Sequence, residues 1–437
     1  MGTVTMKRKN IPLSENLSTL FEAEVGVGQT GIPDWLAEER DVCRGMVLAN
    51  GLPGQGLEQW KYTNVAALNE VDWELPSKTL DTNQPVADES DPNVIHLTLI
   101  NGQYLEADKN DIPEGLEVRA LSNPASIDCI KPVLQRTNYR LESIFTLMNR
   151  ALWTDGLCIQ TAAETNVRLH IHLVYGGAGR SPVISAPRVY IKTGEHSQVE
   201  LTLTQWNRDK APTFGTACID LDLDAGSKVT YAHEQRLNPV SYQFTTTRTN
   251  IARDACIYAL DLATGAALSR HDLTASLQES GSEAHMNGIY LLRDRQTSDF
   301  HTVIEHRKPY CNSRQIYKGV LDDHAHAVFN GLVEVHPGAM GTDGYQLNRT
   351  LLRSPQAVVD TKPELQIHND DVKCSHGATV GQLDPLELFY LQSRCIPTEE
   401  AKAILSRAFV VDLIHQQPSE YQQNRLHKSV HDFFNQA

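Results

Sequence analysis

QVELTLTQ at residues 198–205, ACIDLDL at 217–223 and KVTYAHEQ at 228–235 are short runs in which apolar and polar side chains alternate. A period of two is typical of β-strands, because successive side chains of a strand point to opposite faces. A turn-forming cluster, DAGS, joins the second run to the third, and no helical pattern lies between them. The runs therefore predict consecutive strands rather than strand–helix–strand units.

The same pattern of strand-like runs and turn-forming clusters continues over residues 156–381, the largest region of the chain. Clusters with Gly and a small residue separate strand-like runs at intervals of roughly 10–15 residues. The further runs are VRLHIHLVY, PRVYIKTG, YQFTTTRTNI, ACIYALDL, GIYLL, HTVIEH, QIYKGVL and GLVEV. A sandwich, a jelly roll and a parallel β-solenoid all fit this pattern, and its length favours the solenoid.

Residues 1–155 predict a mixed α/β region before the strands. One helix is expected to begin at Pro33 and Asp34 and to end at Gly51, and a second to run through 138–153. Between them, VIHLTLINGQYLEA predicts a hairpin that turns at Asn101 and Gly102.

Residues 382–437 predict a C-terminal helical domain. LDPLELFYLQSR indicates one short helix, Pro397 and Thr398 begin a longer one that Pro418 ends, and RLHKSVHDFF favours a short helical turn. Asp412 interrupts the apolar stripe of the longer helix. Because a solenoid needs capped ends, we expect the helical segments on either side of it to cap it.

Composition excludes several classes of protein. The 437 residues exceed the size of a single core, so two or three domains are expected. The net charge of −15, with no run of Lys or Arg, argues against nucleic-acid binding and docking to anionic membranes. No apolar stretch approaches about 18 residues, and no apolar region follows the basic N-terminal cluster. We therefore expect a cytoplasmic protein.

Conventional catalytic and metal motifs are missing from the sequence. It contains no Walker A sequence, no G-x-S-x-G, no H-E-x-x-H, and no C-x-x-C among its eight cysteines. Most of the cysteines are expected to be small buried apolar residues. HIH at 170–172 and HAH at 324–326 each predict two histidines on one strand face, packed or solvated, and Asp322 and Asp323 predict a turn.

KCSHGATVG at residues 373–381 is the densest chemical constellation. If the segment is extended, Cys374 and His376 point the same way, with their Cα atoms about 6.5–7 Å apart. One thiolate and one imidazole leave a metal centre half-coordinated, because closed sites usually take four protein ligands. Either the pair is structural and free of metal, or its remaining ligands come from another chain.

Long segments of the chain resemble a known family. The stretches at 315–331, 333–352 and 361–394, together with GLEQWKYTNV at 56–65 and MNRALWTDG at 148–156, are similar to the SufB/SufD family, scaffold proteins of SUF iron–sulfur cluster assembly. The C-S-H-G-A-T and W-K-Y-T motifs resemble the SufD branch, since SufB has a Glu-containing sequence at the corresponding strand. The resemblance covers nearly the whole chain.

The resemblance implies an architecture and two partners. The fold would be mainly β, a right-handed parallel β-helix between an N-terminal mixed region and a C-terminal helical domain. The chain would be a non-catalytic scaffold that pairs with SufB along the β-helix and binds no nucleotide, while the ABC-type ATPase SufC docks on the C-terminal helices. The implied contact residues are Leu383, Leu388, Phe389, Ala401, Leu405 and Phe409. Self-association of the isolated chain stays open.

The resemblance also implies a metal-binding role for the motif. His376 would be a ligand of a transient iron–sulfur cluster at the SufB–SufD interface, with Cys374 beside it and the missing ligands supplied by SufB. Two alternatives remain at this stage. One is a structural SufB partner without a ligand role, and the other is a carbohydrate-active β-helix enzyme that uses acids such as Asp322 and Asp323.

One position departs from the family pattern. The usual S-R-G-I after the first C-terminal helix is SRCI here, so that Cys395 stands in place of glycine. If that glycine is a left-handed helix cap, Cys395 adopts the conformation at a cost of about 1 kcal/mol. We expect Cys395 to have a packing role.

Overall fold

The structure, a computed structural model, describes residues 9–23, 32–76, 91–105, 112–136, 142–176 and 181–435. The strands before the regular repeat are β1 (Asn10–Ile11), β2 (Leu52–Pro53), β3 (Ile95–Ile100), β4 (Gln103–Leu105), β5 (Leu116–Ala120), β6 (Leu157–Thr161), β7 (Asn166–Tyr175), β8 (Val183–Ser185) and β9 (Arg188–Lys192). The following strands are β10 (Gln198–Asn207), β11 (Thr213–Leu223), β12 (Lys228–Arg236), β13 (Tyr242–Ile251), β14 (Cys256–Ala263), β15 (Leu268–Leu277), β16 (Glu283–Leu292), β17 (Thr297–His306), β18 (Asn312–Leu321), β19 (His326–Val335), β20 (Thr342–Leu352), β21 (Val358–Ile367) and β22 (Val372–Gly381). The helices are α1 (Glu15–Glu22), α2 (Asp34–Asn50), α3 (Pro124–Ile127), α4 (Lys131–Gln135), α5 (Ile144–Leu152), α6 (Pro385–Ser393), α7 (Thr398–Ile414) and α8 (Glu420–Asn435).

The strands from β9 onward alternate between two ten-stranded sheets. The even-numbered strands β10 to β22 follow one another in one sheet, and the odd-numbered strands β9 to β21 do so in the other. From β9 onward, neighbours within a sheet are parallel, and Gln198 of β10 lies beside Lys228 of β12. Each turn of the chain thus adds one strand to each sheet, which confirms the predicted parallel solenoid, with about seven turns.

Alternating side chains divide the interior from the outer faces. On β14, Ile257 and Ala259 belong to the core between the two sheets, whereas Leu260 and Leu262 belong to a separate apolar cluster under the C-terminal helices. The strands are therefore apolar on both faces over much of their length, as expected of parallel sheets that are covered on both sides.

Two of the predicted N-terminal segments form as expected, and a third is shorter. Helix α2 starts after Pro33 and ends at Gly51, whose positive φ of 66° is a conformation favourable to glycine. The strands β3 and β4 form the predicted hairpin, with Asn101 and Gly102 both at positive φ. The helix predicted over 138–153 begins later, at Ile144 after the Ser143 cap; residues 137–141 lie outside the described part.

The helices cover the faces of the solenoid rather than its ends. Aromatic residues of the N-terminal region pack on outward-facing side chains of β11 and β13, such as Phe145 against Phe244, whose rings stack 3.5 Å apart. Helices α7 and α8 pack on the outer face of the even-numbered sheet, at β12, β14, β16 and β18. The expectation that helices cap the ends is therefore wrong, because the apolar outer faces are where the apolar sides of the helices are buried.

The C-terminal helices are held to the solenoid by specific contacts. Lys318 on β18 donates hydrogen bonds to both carboxylate oxygens of Asp412 on α7, at 2.6 and 2.8 Å. This pairing explains the acidic residue in the apolar stripe. Helix α8 is longer than the predicted short turn, because Leu426, Val430 and Phe434 recur every four residues and pack into the outer cluster.

Candidate functional site

The C-S-H segment lies on the last strand of the even-numbered sheet. In β22, Cys374 is in register with Gly344 of β20, and His376 is in register with Gln346. Gly344 and Gln346 belong to the alternate positions of β20 that are buried in the interior. Cys374 and His376 therefore share the interior-facing side of the final turn, as the sequence predicted for an extended segment.

Cys374 is half-buried because a glycine leaves room for its sulfur. A Cβ atom placed on Gly344 would lie 3.3 Å from the Sγ atom of Cys374, which is tight contact. Burial raises the pKa of the Cys374 thiol, and the nearby carboxylate of Asp343 raises it further. A backbone hydrogen bond from Gly344 has the opposite, lowering effect on this pKa. At neutral pH the group is thus a thiol, and binding a metal ion would displace its proton.

His376 is exposed at the rim of the same interior surface. Within the described part of the chain it makes no hydrogen bond or ion pair. Its neighbour Gln346 is fully buried and donates a hydrogen bond to Gln315. The imidazole is therefore available to a ligand or to another protein, while the layer beneath it is fixed.

Strands β21 and β22 form an open end, a name we use below for the outer edges of these two strands. Both are the last members of their sheets, and no described strand pairs with their outer edges. Neither strand has a fully buried residue, although alternate residues of β19 and β20 are buried. Val358, Ile367 and Val380 are exposed there. Long unpaired edges with apolar side chains are typical of surfaces that pair with another chain.

Helix α6 follows β22 directly and presents a second apolar surface. Leu386, Phe389 and Tyr390 are 76%, 67% and 58% exposed, respectively. Of the predicted partner contacts, Phe389 is exposed, Leu383, Leu388, Leu405 and Phe409 are half-buried, and Ala401 is buried. Leu386 and Tyr390 were not among the predicted contacts, although a short helix with apolar residues on every side was a signal for them.

The half-buried contact residues of α7 also pack within the chain. The Nζ atom of Lys318 lies 4.9 Å from the ring centroid of Phe409, and the guanidinium of Arg349 lies 5.5 Å from it. Phe409 therefore connects α7 to strands of the solenoid. Of the predicted contact residues, those on α6 are the more accessible to a partner.

Cys395 is exposed, so the expected packing role is wrong. It lies in the turn after α6 with a φ of 65°, the left-handed conformation considered for the family's glycine. The turn leaves α6 at the surface, and the side chain has no core to enter. The strain of about 1 kcal/mol is consequently not offset by burial of the sulfur.

The other cysteines mostly behave as buried small residues. Cys43, Cys218, Cys256 and Cys311 are buried thiols. Burial raises the pKa of Cys43 to about 12 and that of Cys218 to about 11, which makes both poor nucleophiles. The remaining two, Cys129 and Cys158, are paired with each other.

The histidine pairs differ from each other. His170 and His172 share the outer face of β7, and His170 bonds through its two ring nitrogens to Tyr421 and Thr204, so they are packed as predicted. His324 lies in the turn before β19, so HAH does not place two histidines on one strand face. Asp323 occupies a turn with positive φ, as predicted.

Three groups of potential metal-binding side chains occur among the described residues. They are His96 with His170 and His172, His233 with Asp261 and His271, and Glu305 with Glu334 and His336. None includes Cys374 or His376, which supply two potential donors at the open end. The second group is fully buried, and no sequence motif pointed to it.

Comparisons with known proteins agree with the sequence motifs. A family model described as "SUF system FeS cluster assembly, SufBD core domain" matches residues 175–409, and one described as "SufBD protein N-terminal region" matches 12–173. A SufBD family protein of Synechocystis sp. is 30% identical over 402 residues, 87% of each chain. SufD of Escherichia coli is 29% identical over 368 residues, 84% of this chain and 86% of its own. SufD of Bacillus subtilis is 34% identical over 147 residues, 34% of each.

A membrane-spanning helix needs about 20 predominantly apolar residues. Within the described ranges, no helix combines that length with that apolar character.

Proposed function

Because the chain belongs to the SufBD family of SUF-system iron–sulfur cluster assembly proteins, we propose that it is a SufD-type scaffold without catalytic activity of its own. In this role it would hold one half of a cluster-assembly site in the cytoplasm. The observation that carries the proposal is the open end, where a strand whose outer edge pairs with no described strand bears Cys374 and His376 beside exposed apolar side chains.

The open end favours a partner with the same fold. An exposed strand edge recognises another strand through main-chain hydrogen bonds, and alternate side chains supply specificity. A sister scaffold, SufB, that presented its own edge would extend both sheets and bury Val358, Ile367 and Val380. The same contact would bring ligands of the partner next to Cys374 and His376.

The two donor side chains, Cys374 and His376, suit a cluster that the protein holds transiently and then releases. Iron–sulfur clusters are usually held by four ligands, mainly thiolates, and imidazole can replace some of them. Cys374 and His376 offer one of each, so a cluster would need further ligands from SufB. Separation of the partners would then expose the cluster for release. Because Cys374 must lose its proton to bind iron, loading should improve as the pH rises.

The exposed face of α6 favours a second partner. The sequence has no nucleotide-binding motif, so ATP hydrolysis would belong to SufC, with Leu386, Phe389 and Tyr390 as docking residues. Residues 382–437 would form the ATPase-binding domain. Movement of SufC would reach the solenoid through α7, which is fixed to β18 by Lys318 and Asp412.

An anaerobic pull-down of the tagged chain from its own cytosol tests this assignment. We expect an ABC-type ATPase and a second β-helix scaffold to co-elute, as identified by mass spectrometry. Recovery of the chain alone, with no partner and no iron, would contradict the proposal.

The ligand role is tested separately in the assembled complex. His376→Ala and Cys374→Ser should each lower cluster formation, followed by visible absorption, at least tenfold, because each removes a donor. Their controls are His324→Ala and Cys395→Ser, which change exposed residues outside β22. If His376→Ala and Cys374→Ser leave cluster formation unchanged while the complex still assembles, the chain is a structural partner only.

A further inference from the structure

A polar chamber lies inside the solenoid, between strands of both sheets. His233 on β12, Asp261 on β14 and His271 on β15 meet there, and each is at least nine-tenths buried. The chamber has a volume of about 10 Å³ for the centre of a water-sized sphere, which is the room that a single water molecule or small ion needs. Its other polar lining includes Gln205, Gln235, Gln243, Thr245, Ser269 and Ser298.

The three side chains converge on one point. The Nδ1 atom of His233 lies 2.7 Å from Oδ1 of Asp261, and Nδ1 of His271 lies 3.1 Å from the same oxygen. The two imidazole rings are 4.7 Å apart and nearly perpendicular. Ligand atoms that bind one first-row cation at about 2.1 Å lie about 3 Å from each other when the bonds are at right angles. The arrangement thus has the dimensions of a metal site.

Within the described part of the chain, hydrogen bonding satisfies this group only in part, through the contact of His233 Nδ1 with Asp261 Oδ1. Despite the 3.1 Å separation, Nδ1 of His271 forms no aligned hydrogen bond with Asp261. Oδ2 of Asp261 and Nε2 of His233 also lack a hydrogen-bond partner among the described residues. Buried polar atoms are nearly always paired, so three unpaired atoms in one chamber indicate a ligand.

The surroundings orient the ligands and place the carboxylate of Asp261 against two imidazoles. Nε2 of His271 is 2.8 Å from the hydroxyl of Thr247, an outer contact of the kind that orients metal-binding imidazoles. Asp261 is 1% exposed. Arg270 also lines the chamber, and it is paired with Asp272 and Asp299. A buried carboxylate is costly without a cation.

We propose that His233, Asp261 and His271 bind one divalent first-row transition-metal ion. Two imidazoles and one carboxylate form the ligand set of open Fe(II) sites and of zinc sites with a free position. The site is distinct from the pair of donors, Cys374 and His376, at the open end. Four strand intervals separate β14 from β22 in the sheet, which corresponds to about 19 Å.

Cobalt(II) is a suitable probe, because it occupies such sites and absorbs visible light. The full chain, expressed in cobalt-supplemented minimal medium and purified anaerobically, should contain one cobalt ion per chain by elemental analysis. His271→Ala and Asp261→Asn should each lower this content at least tenfold, whereas Cys374→Ser and His376→Ala should leave it unchanged. Loss of the metal in Cys374→Ser or His376→Ala, or its retention in both His271→Ala and Asp261→Asn, would overturn the proposal.

A measurement on the unaltered chain covers the case in which a variant does not fold. X-ray absorption of the bound cobalt should show two imidazole rings and oxygen ligands, and a shell that contains sulfur or no imidazole would overturn the assignment. Parallel cultures supplemented with iron or zinc then identify the ion that the site selects. Absence of any bound metal from the wild-type chain in all three cultures would also overturn it.

Discussion

The covered faces of the solenoid and its open end are built from the same strands but have opposite surfaces. Where β11 to β18 carry outward apolar side chains, helices of the same chain bury them. At the open end, β21 and β22 keep ten-residue edges and exposed apolar side chains, and α6 adds three more. At the other end of the sheets the last strands, β4 and β5, have only three and five residues. Short edge strands discourage pairing, so the two ends differ in how readily they would pair with another chain.

The largest expected difference between the regions comes from two matched phenylalanine truncations. Phe214→Ala, in the buried aromatic cluster of a covered face, should lower the free energy of unfolding by about 3–5 kcal/mol through the cavity it leaves. Phe389→Ala, on the exposed side of α6, should change it by less than about 0.5 kcal/mol. Chemical denaturation of both variants measures the difference.

The same pair separates stability from partner binding. The Phe389→Ala chain should remain folded but should no longer bind the ATPase. Equal destabilisation by Phe389→Ala and Phe214→Ala would show that α6 is packed against the chain in solution and is not a docking surface.

A charge placed on the open end should have the next largest effect. Val380 on β22 and Val42 on α2 are both 47% exposed, so Val380→Lys and Val42→Lys differ in location and not in burial. Because lysine on a strand edge opposes edge-to-edge pairing, Val380→Lys should weaken binding of the sister scaffold about tenfold. Val42→Lys should have no effect on a quantitative pull-down. If both variants lose binding of the sister scaffold to a similar degree, the effect comes from the change in net charge and not from the strand edge of β22.

The strand pattern and most helix boundaries could be predicted from the sequence, because each depends on local periodicity or on one capping residue. Gly51 and the Asn101–Gly102 turn are examples. The surface on which the helices pack could not be predicted, because it depends on which face of a distant strand is apolar. Helices α7 and α8 pack on the outer face of the solenoid, where Leu260 and Leu262 face them. The prediction placed these helices at the end of the solenoid.

The two metal-donor groups differ in the same way. Cys374 and His376 are two residues apart on one strand, so the alternation of side chains predicts that they share a face. His233, Asp261 and His271 come from three strands and two sheets. Their meeting depends on the strand register and on the distance between the sheets, neither of which is encoded in a local motif.

Acid should weaken the covered region through a buried histidine. Burial lowers the pKa of His172 to about 3, with smaller contributions from His96 and nearby arginines. Between its ordinary value of about 6.5 and 3, the unfolded chain binds a proton that the folded chain does not. Stability contributed by the neutral imidazole is therefore present above pH 6.5 and decreases as the pH falls.

Thermal unfolding as a function of pH measures this contribution. His172→Gln should flatten the decline in melting temperature between pH 6.5 and 4 relative to the wild-type chain, with pH 7.5 as the reference point for each protein. An unchanged slope in His172→Gln would assign the acid sensitivity to other groups, such as the buried His306, whose pKa burial lowers to about 4.

The smallest expected effect is a gain in stability at the turn that follows the open end. Cys395 has a φ of 65°, which costs a residue with a Cβ atom about 1 kcal/mol, and glycine avoids that cost. Glycine also gives the unfolded chain more freedom, so Cys395→Gly should raise the free energy of unfolding by only about 0.5 kcal/mol. Asn101→Gly is the control at the opposite end of the solenoid. Asn101 has a φ of 48°, which asparagine tolerates, and its side chain exchanges hydrogen bonds with the backbone of Gly176, so Asn101→Gly should lower stability instead. If Cys395→Gly destabilises the chain instead, the thiol contributes a contact that its exposure does not reveal, and the strain at this turn is offset locally.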